Sequence, residues 1–103
     1  MKIGAAYPTT EIAGDPAAVR KFSTSVEALG FDSMMAYDHV IKCPHADRDP
    51  PLTGPYTEKD SFHDPFVLFA FAAAITTKRE FSTGVLVLPP RQTALVAEHA
   101  AEV

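Results

Sequence analysis

The sequence predicts an α/β fold in which three strands alternate with three helices and pair in parallel. Short apolar runs lie near residues 2–7, 32–38 and 80–88, and a segment with helical features follows each of them. Two of those helical segments open with Asp-Pro, a dipeptide that caps and starts helices. A βαβαβα order predicts parallel strands joined by right-handed crossovers.

The first strand–helix unit covers the first thirty residues. Its strand runs from Lys2 to Tyr7 and is stopped by Pro8. Asp15-Pro16 supplies an N-cap and a proline at the first helical position, where the missing N–H costs nothing. One apolar stripe follows at three- and four-residue spacing: Val19, Phe22, Val26 and Leu29. Gly30 suits the left-handed position after a helix, so we predict a helix near 16–29.

The second unit contains the longest loop. Its strand, Phe31 to Tyr37, leads into a proline-containing loop from about Val40 to His63. Loops of this length usually bind or cover ligands. Asp64-Pro65 then starts a helix predicted near 64–77, and its apolar residues occupy nearly the whole circumference. Such a helix is buried on more than one side or faces a partner, so we expect a homo-oligomer.

The third unit begins with a strand that ends in a continuous apolar run. Val85 to Leu88 fits a parallel strand covered on both faces, and Pro89-Pro90 stops it. Arg91-Gln92-Thr93 opens a helix predicted near 92–103. The exposed N–H groups of a helix start suit phosphate, but an ordinary polar helix start is favoured here. The glycine-rich loops that bind nucleotides are absent from the sequence.

Composition narrows the class of partner. The net charge is −4 and no basic patch is present, which argues against nucleic acid and anionic membranes. The longest apolar run, Pro65 to Ile75, is too short to span a bilayer, and no signal peptide is visible. The single Cys43 excludes an internal disulfide. We therefore expect a cytoplasmic protein that acts on a small molecule.

Asp38-His39 is the leading candidate for chemistry. The pair closes the second strand, and the carboxyl ends of parallel strands are where ligands bind in such folds. Free histidine can exchange a proton near neutral pH, so the imidazole of His39 could transfer a proton, while the carboxylate of Asp38 could accept hydrogen bonds from a polar ring edge. The alternative is a strand end with a capping Asp and a surface His.

Gly84 is the second candidate, because a glycine within a strand marks a bulge or a close approach of a ligand. A small residue that makes room for a neighbouring helix is an equal alternative. Asp38, His39, His45 and His63 could in principle bind a metal ion. No two of the histidines, however, share a strand or helix at ligand spacing. Solvated loop histidines are favoured, so no metal site is predicted.

Five stretches, taken in order, carry a resemblance to a known family. They are Ala28-Leu29-Gly30-Phe31-Asp32, Ala36-Tyr37-Asp38-His39-Val40, Pro51-Leu52-Thr53-Gly54-Pro55-Tyr56, Phe62-His63-Asp64-Pro65-Phe66, and Thr83-Gly84-Val85-Leu86-Val87-Leu88-Pro89 with the following Arg91-Gln92-Thr93-Ala94. The ordered set resembles the amino-terminal part of the luciferase-like monooxygenase superfamily, in particular its deazaflavin-dependent oxidoreductase branch.

That resemblance implies a (β/α)8 TIM barrel with a cofactor ring at the carboxyl ends of the strands. Eight units need roughly 250 residues, so residues 1–103 are expected to be an N-terminal fragment holding the first three units. The resemblance implies that Asp38 and His39 lie beside the ring, with His39 as the catalytic residue. It also implies that Gly84 and Val85 form a bulge against the ring, with a non-prolyl cis peptide.

The implied function is hydride transfer between a small organic substrate and a deazaflavin (coenzyme F-420). The first alternative is an FMN-dependent monooxygenase of the same superfamily, because flavin and deazaflavin members share most of these motifs. The second alternative is a non-catalytic, truncated barrel fragment whose exposed third strand and apolar helix only associate with partners.

Overall fold

The computed structural model describes residues 1–103 and contains three strands and four helices. In chain order they are β1 (Gly4–Ala6), α1 (Thr9–Ile12), α2 (Pro16–Ala28), β2 (Ser33–Tyr37), α3 (Pro65–Ala73), β3 (Glu80–Val85) and α4 (Thr93–Glu102). The predicted alternation of strands and helices is confirmed. The single turn α1 was not predicted, because four residues are too few to show a helical period. None of the helices has the length and apolar content needed to cross a membrane.

The strands form one sheet in the order β1-β2-β3, and both pairs are parallel, as predicted. Met34 of the central strand pairs with Ala5 on one side and with Phe81 on the other. All three strands therefore end at the same edge of the sheet. The loops that follow their carboxyl ends meet along that edge.

The two Asp-Pro signals start helices at the predicted positions. Asp15 accepts a hydrogen bond from the N–H of Ala17 at 2.9 Å. Asp64 accepts from the N–H groups of Phe66 and Val67 at 2.9 and 3.2 Å. Each carboxylate satisfies N–H groups that have no partner within the first helical turn. After α2, Gly30 has a φ of 81°, which places it in the left-handed conformation expected there.

The core lies on one face of the sheet. Met34 and Ala36 of β2 are buried, whereas the residues between and beside them are not. Because successive side chains of a strand point to opposite faces, this alternation shows that α2 and α3 cover only one face. The core cluster consists of Tyr7, Val19, Met34, Ala36, Leu68, Phe69 and Ala72. The opposite face is open.

Two predicted apolar segments are less buried than their patterns indicate. Leu29 is 75% exposed, because α2 ends at Ala28 and Leu29 is its C-cap rather than part of the packed stripe. The run Val85 to Leu88 is not a strand covered on both faces. Pairing with β2 ends at Val85, and the chain then turns so that the N–H of Val87 reaches Asp38. The prediction for this run was wrong.

Glu27 links the end of α2 to the segment before β3. Its carboxylate accepts hydrogen bonds from the backbone N–H groups of Thr77 and Lys78 at 2.8 and 3.0 Å. The hydroxyl of Thr77 donates a third bond at 3.2 Å. The backbone bond from Thr77, followed by that from Lys78, holds the pKa of Glu27 below its ordinary value of 4.5.

Removing this carboxylate is expected to make stability less sensitive to acid. A carboxyl group with a depressed folded pKa contributes stability above its unfolded pKa, and that contribution is lost as the pH falls through the folded pKa. Glu27→Gln should therefore lower Tm at pH 7, and the difference from wild type should shrink below about pH 4. Thermal unfolding followed by circular dichroism at both pH values measures this, with exposed Glu98→Gln as the control. A difference that does not change with pH would contradict it.

Candidate functional site

Three charged side chains meet at the carboxyl ends of β2 and β3. Asp38 directly follows β2, Asp64 is the N-cap of α3, and Arg91 lies in the loop after β3. Arg91 donates from Nη2 to Oδ1 of Asp38 at 2.7 Å and from Nε to Oδ2 at 3.1 Å. It also donates from Nη1 to Oδ2 of Asp64 at 2.8 Å. We call these three residues the Arg91 bridge.

Within the Arg91 bridge, the Arg91–Asp38 pair is shielded from solvent, whereas the side chain of Asp64 is 38% exposed. The side chain of Asp38 is 1% exposed and that of Arg91 is 14% exposed. The hydrogen bond to Asp38 is the main reason that the pKa of Arg91 is raised, although burial opposes it. The guanidinium also lies 5.9 Å from the centre of the Phe66 ring, within cation–π range. Two-point binding of a carboxylate by arginine is among the stronger pairings in proteins.

Asp38 is buried and His39 is half-buried, and from this we infer that the two side chains face opposite sides of the sheet. The burial pattern of β2 continues past its end, so Asp38 follows Met34 and Ala36 toward the helices while His39 follows Tyr37 toward the open side. Asp38 also accepts from the N–H of Val87 at 2.9 Å. Together with the two bonds from Arg91, this occupies three of the roughly four acceptor positions of the carboxylate. Contact between Asp38 and a cofactor ring stays a prediction, and in this arrangement it requires Arg91 to move.

His39 packs instead against the end of the long loop. Its ring centre lies 4.8 Å from that of Phe62, and Phe62 meets Tyr56 edge-on at 4.9 Å. These contacts bring the loop back over the carboxyl end of β2. The imidazole is therefore half-buried against an aromatic ring of this loop.

A groove of about 270 Å³ runs along the same edge, beside β1. Its lining combines hydroxyl, carboxylate and aromatic groups: Ala6, Tyr7, Pro8, Thr9, Thr10, Glu11, Tyr37 and Tyr56. The volume is just below the roughly 300 Å³ at which small-molecule pockets begin. The groove is therefore a candidate for part of a ligand site at this edge. No sequence pattern identified these residues as a candidate site, although the end of β1 must lie at the same edge as Asp38.

Gly84 is the extra residue of a bulge. Thr83 pairs with Ala36 and Val85 pairs with Tyr37, so Gly84 is left without a partner in the register. A Cβ at this position would lie 2.9 Å from the ring of Tyr37 and 3.2 Å from the sulfur of Met35. The predicted bulge is confirmed, and the space is used by a ring of the adjacent strand rather than by a helix.

The peptide bond between Gly84 and Val85 is trans. The resemblance implies a cis bond there, and that expectation is not met in this structure. The cis peptide bond that is present joins Asp49 to Pro50. Gly84 reaches its bulged position without a cis bond, because the register shift alone accommodates the additional residue.

A methyl group at Gly84 is expected to displace the ring of Tyr37. Gly84→Ala should change the Tyr37 ring resonances and lower stability by about 1–3 kcal/mol, the usual cost of overpacking. The lower end is expected, because half-exposed Tyr37 can swing outward. Gly54→Ala is the matched control, since no atom lies within 4 Å of a Cβ built there. NMR and urea unfolding measure both effects, and identical behaviour of the two variants would contradict the assignment.

The remaining candidates have other partners or none. The residues considered as metal ligands have separate partners. Asp38 binds Arg91, and His39 packs on Phe62. His63 meets Tyr7 edge-on, with ring centres 5.7 Å apart. No group of three metal-binding side chains is brought together. At the start of α4, Arg91 turns toward the two carboxylates, and Gln92 makes no side-chain capping bond.

The family model described as luciferase-like monooxygenase matches residues 1–103. No curated protein and no solved structure matches. The family match covers all of the strands, the long loop and the Arg91 bridge.

Proposed function

Because this chain belongs to the luciferase-like monooxygenase family, we propose that it forms the cofactor-facing edge of an oxidoreductase that transfers a hydride between a small organic substrate and a deazaflavin. Proteins of this family commonly bind flavin or the deazaflavin coenzyme. The observation that carries the proposal is the position of His39. It lies at the carboxyl end of the central strand, on the open side of the sheet, and it contacts the loop that covers this edge.

We also propose that the three units are the first three of a (β/α)8 barrel. Parallel sheets occur with both faces covered or closed into a barrel. Here helices cover one face, and the other face carries Met35 and Tyr37 without a covering layer. Further strands that continued the curvature would enclose that face as a barrel interior.

The residues at the edge fit a flat conjugated ring. The half-exposed ring of Tyr37 lies across Gly84 and offers a planar surface, and the adjacent groove supplies hydroxyl and carboxylate groups. A flavin or deazaflavin would supply the hydride chemistry. His39 would hold or move the accompanying proton. Tyr56 and Phe62 would reduce the access of water to that imidazole.

Spectroscopic titration tests the proposal. The purified chain should change the absorption and fluorescence of a deazaflavin in a saturable way, and the same chain unfolded in urea should not. Saturable binding of FMN alone would favour the flavin-dependent monooxygenase. Binding of neither compound would favour a fragment that only associates, and it would remove the oxidoreductase proposal for this chain.

We propose that the chain self-associates through α3. Val67 is 70% exposed on this helix, whose nine residues are all apolar. Val67→Lys should shift the sedimentation coefficient toward that of a monomer, because a charge at the contact opposes burial. Leu29→Lys is the control, since Leu29 is equally exposed but lies at the end of α2. Equal sedimentation of the two variants would contradict the assignment of α3 as the contact.

A further inference from the structure

The Arg91 bridge joins the two ends of the long loop. Asp38 precedes the loop and Asp64 follows it, and both carboxylates are held by one guanidinium from the next strand–helix unit. We propose that Arg91 is a positioning residue that sets the location of His39 and of the loop over the site. This inference rests on the proposed function only where it concerns turnover. The positioning itself is a property of the free chain.

The first arm of the bridge fixes the direction of His39. Asp38 is held at both oxygens by Arg91 and at one of them by the N–H of Val87. These bonds anchor the side chain of Asp38 on the helix side of the sheet. Because neighbouring residues of an extended segment point to opposite faces, anchoring Asp38 directs His39 to the open side.

The second arm fixes the other end of the loop. The two oxygens of Asp64 accept hydrogen bonds from different donors. Oδ1 caps α3, and Oδ2 accepts from Arg91. The position of Asp64 in turn limits where Phe62, two residues earlier, can lie. Phe62 is the ring that packs on His39. Arg91 therefore holds the chain on both sides of the His39–Phe62 contact.

Arginine is the residue type that this geometry needs. The guanidinium makes three hydrogen bonds to two carboxylates and lies over the ring of Phe66. A lysine ammonium has the same charge but a single nitrogen, so it cannot reproduce the two-point bond to Asp38 while reaching Asp64. We expect Arg91→Lys to restore only part of what Arg91→Gln loses.

The test compares Arg91→Gln with Arg20→Gln in the purified chain. Arg20 also lies over an aromatic ring, that of Phe71, but it is exposed and forms no ion pair with a carboxylate. In Arg91→Gln the His39 ring protons should lose the shift caused by Phe62 in NMR spectra. Trypsin should cut after the exposed Lys42 and Arg48 about tenfold faster or more, because loss of a shielded charge pair raises the open population of the loop. Arg20→Gln should change neither.

Asp64→Asn separates positioning from global stability. An asparagine still caps the helix as well as aspartate does, but its side chain carries no charge for Arg91. Loop cleavage should accelerate in this variant, while the bonds between Arg91 and Asp38 should keep the direction of His39. If Arg91→Gln does not fold, this variant decides the question. Unchanged loop cleavage in Asp64→Asn, or unchanged His39 shifts in a folded Arg91→Gln, would overturn the proposal.

The cofactor titration distinguishes this proposal from the proposed function. A chain that binds no cofactor but shows the expected NMR and cleavage changes would support positioning by Arg91 and remove the oxidoreductase proposal. In cofactor-loaded enzyme, Arg91→Gln should lower turnover more than it weakens cofactor binding, and Arg91→Lys should recover part of the turnover. If Arg91 only stabilised the fold, Arg91→Gln would lower turnover and cofactor binding together, because less of the protein would be folded.

Discussion

In an intact barrel, His39→Ala is expected to lower turnover by about 100- to 10,000-fold, the usual contribution of a positioned proton-transfer group. Cofactor affinity should fall much less, because the imidazole is one of several groups that line the edge of the site. Steady-state rates measured beside a fluorescence titration of the cofactor separate the two quantities. The expected result is a large loss in kcat with a dissociation constant that stays within a few-fold of wild type.

The matched control is His45→Ala. His45 belongs to the same loop region and is also half-buried, but its backbone N–H bonds Glu58 and it does not pack on Phe62. Its replacement should leave turnover near wild type. If both variants kept wild-type rates, Asp38-His39 would be only a strand terminus. If both lost activity equally, the cause would be the loop as a whole rather than the His39 imidazole.

The parts of the fold that could be predicted depend on local rules. An Asp-Pro pair caps a helix wherever it lies, so Asp15 and Asp64 mark the starts of α2 and α3 correctly. The order of strands and helices requires parallel pairing, and the structure has it. Gly84 marks a bulge because a residue without a side chain tolerates close neighbours. The caps and the bulge need only a few consecutive residues, and the parallel pairing needs only the order of the elements.

The misjudged features depend on contacts between distant segments. The run Val85 to Leu88 is apolar enough for a strand, but pairing with β2 stops at Val85. The chain then turns, and the N–H of Val87 donates to Asp38 instead of to a neighbouring strand. Likewise, the sequence places Arg91 at a helix start without showing that two carboxylates lie within its reach. That information resides in the paths of two loops, which no local pattern encodes.

One part of the site was within reach of sequence reasoning. Met34, Ala36 and Asp38 have the same parity along β2, and Met35, Tyr37 and His39 have the other. Both sets contain apolar residues, so parity alone does not say which face packs on the helices, but it does place Asp38 and His39 on different faces. This separation weighs against one ligand that contacts both side chains, which was the interpretation that the sequence favoured. The structure gives Asp38 a buried ion pair and leaves the open side to His39.

Because Asp38 and His39 have separate environments, replacing Asp38 is expected to lower the stability of the fold strongly without directly removing the proton-transfer group. Asp38→Asn should lower the free energy of unfolding by about 3–5 kcal/mol, the usual cost of removing one partner of a buried ion pair. Arg91 would keep its ion pair with the more exposed Asp64, and the amide that replaces the Asp38 carboxylate could accept from Arg91 at one oxygen only, without a charge. Since small domains have about 5–15 kcal/mol of stability in total, the variant should be close to unfolding under mild conditions. Urea unfolding followed by circular dichroism measures the change.

Asp47→Asn is the control for this substitution, because Asp47 is exposed and its φ of 57° is one that asparagine tolerates. It should unfold like wild type. Combining Asp38→Asn with Arg91→Gln should cost less than the sum of the two single changes, because the second removes the charge that the first leaves unpaired. Strictly additive losses, or an Asp38→Asn variant as stable as the control, would show that the ion pair does not hold this edge together. A cofactor affinity that falls while the fold stays intact would instead place Asp38 at the ring edge.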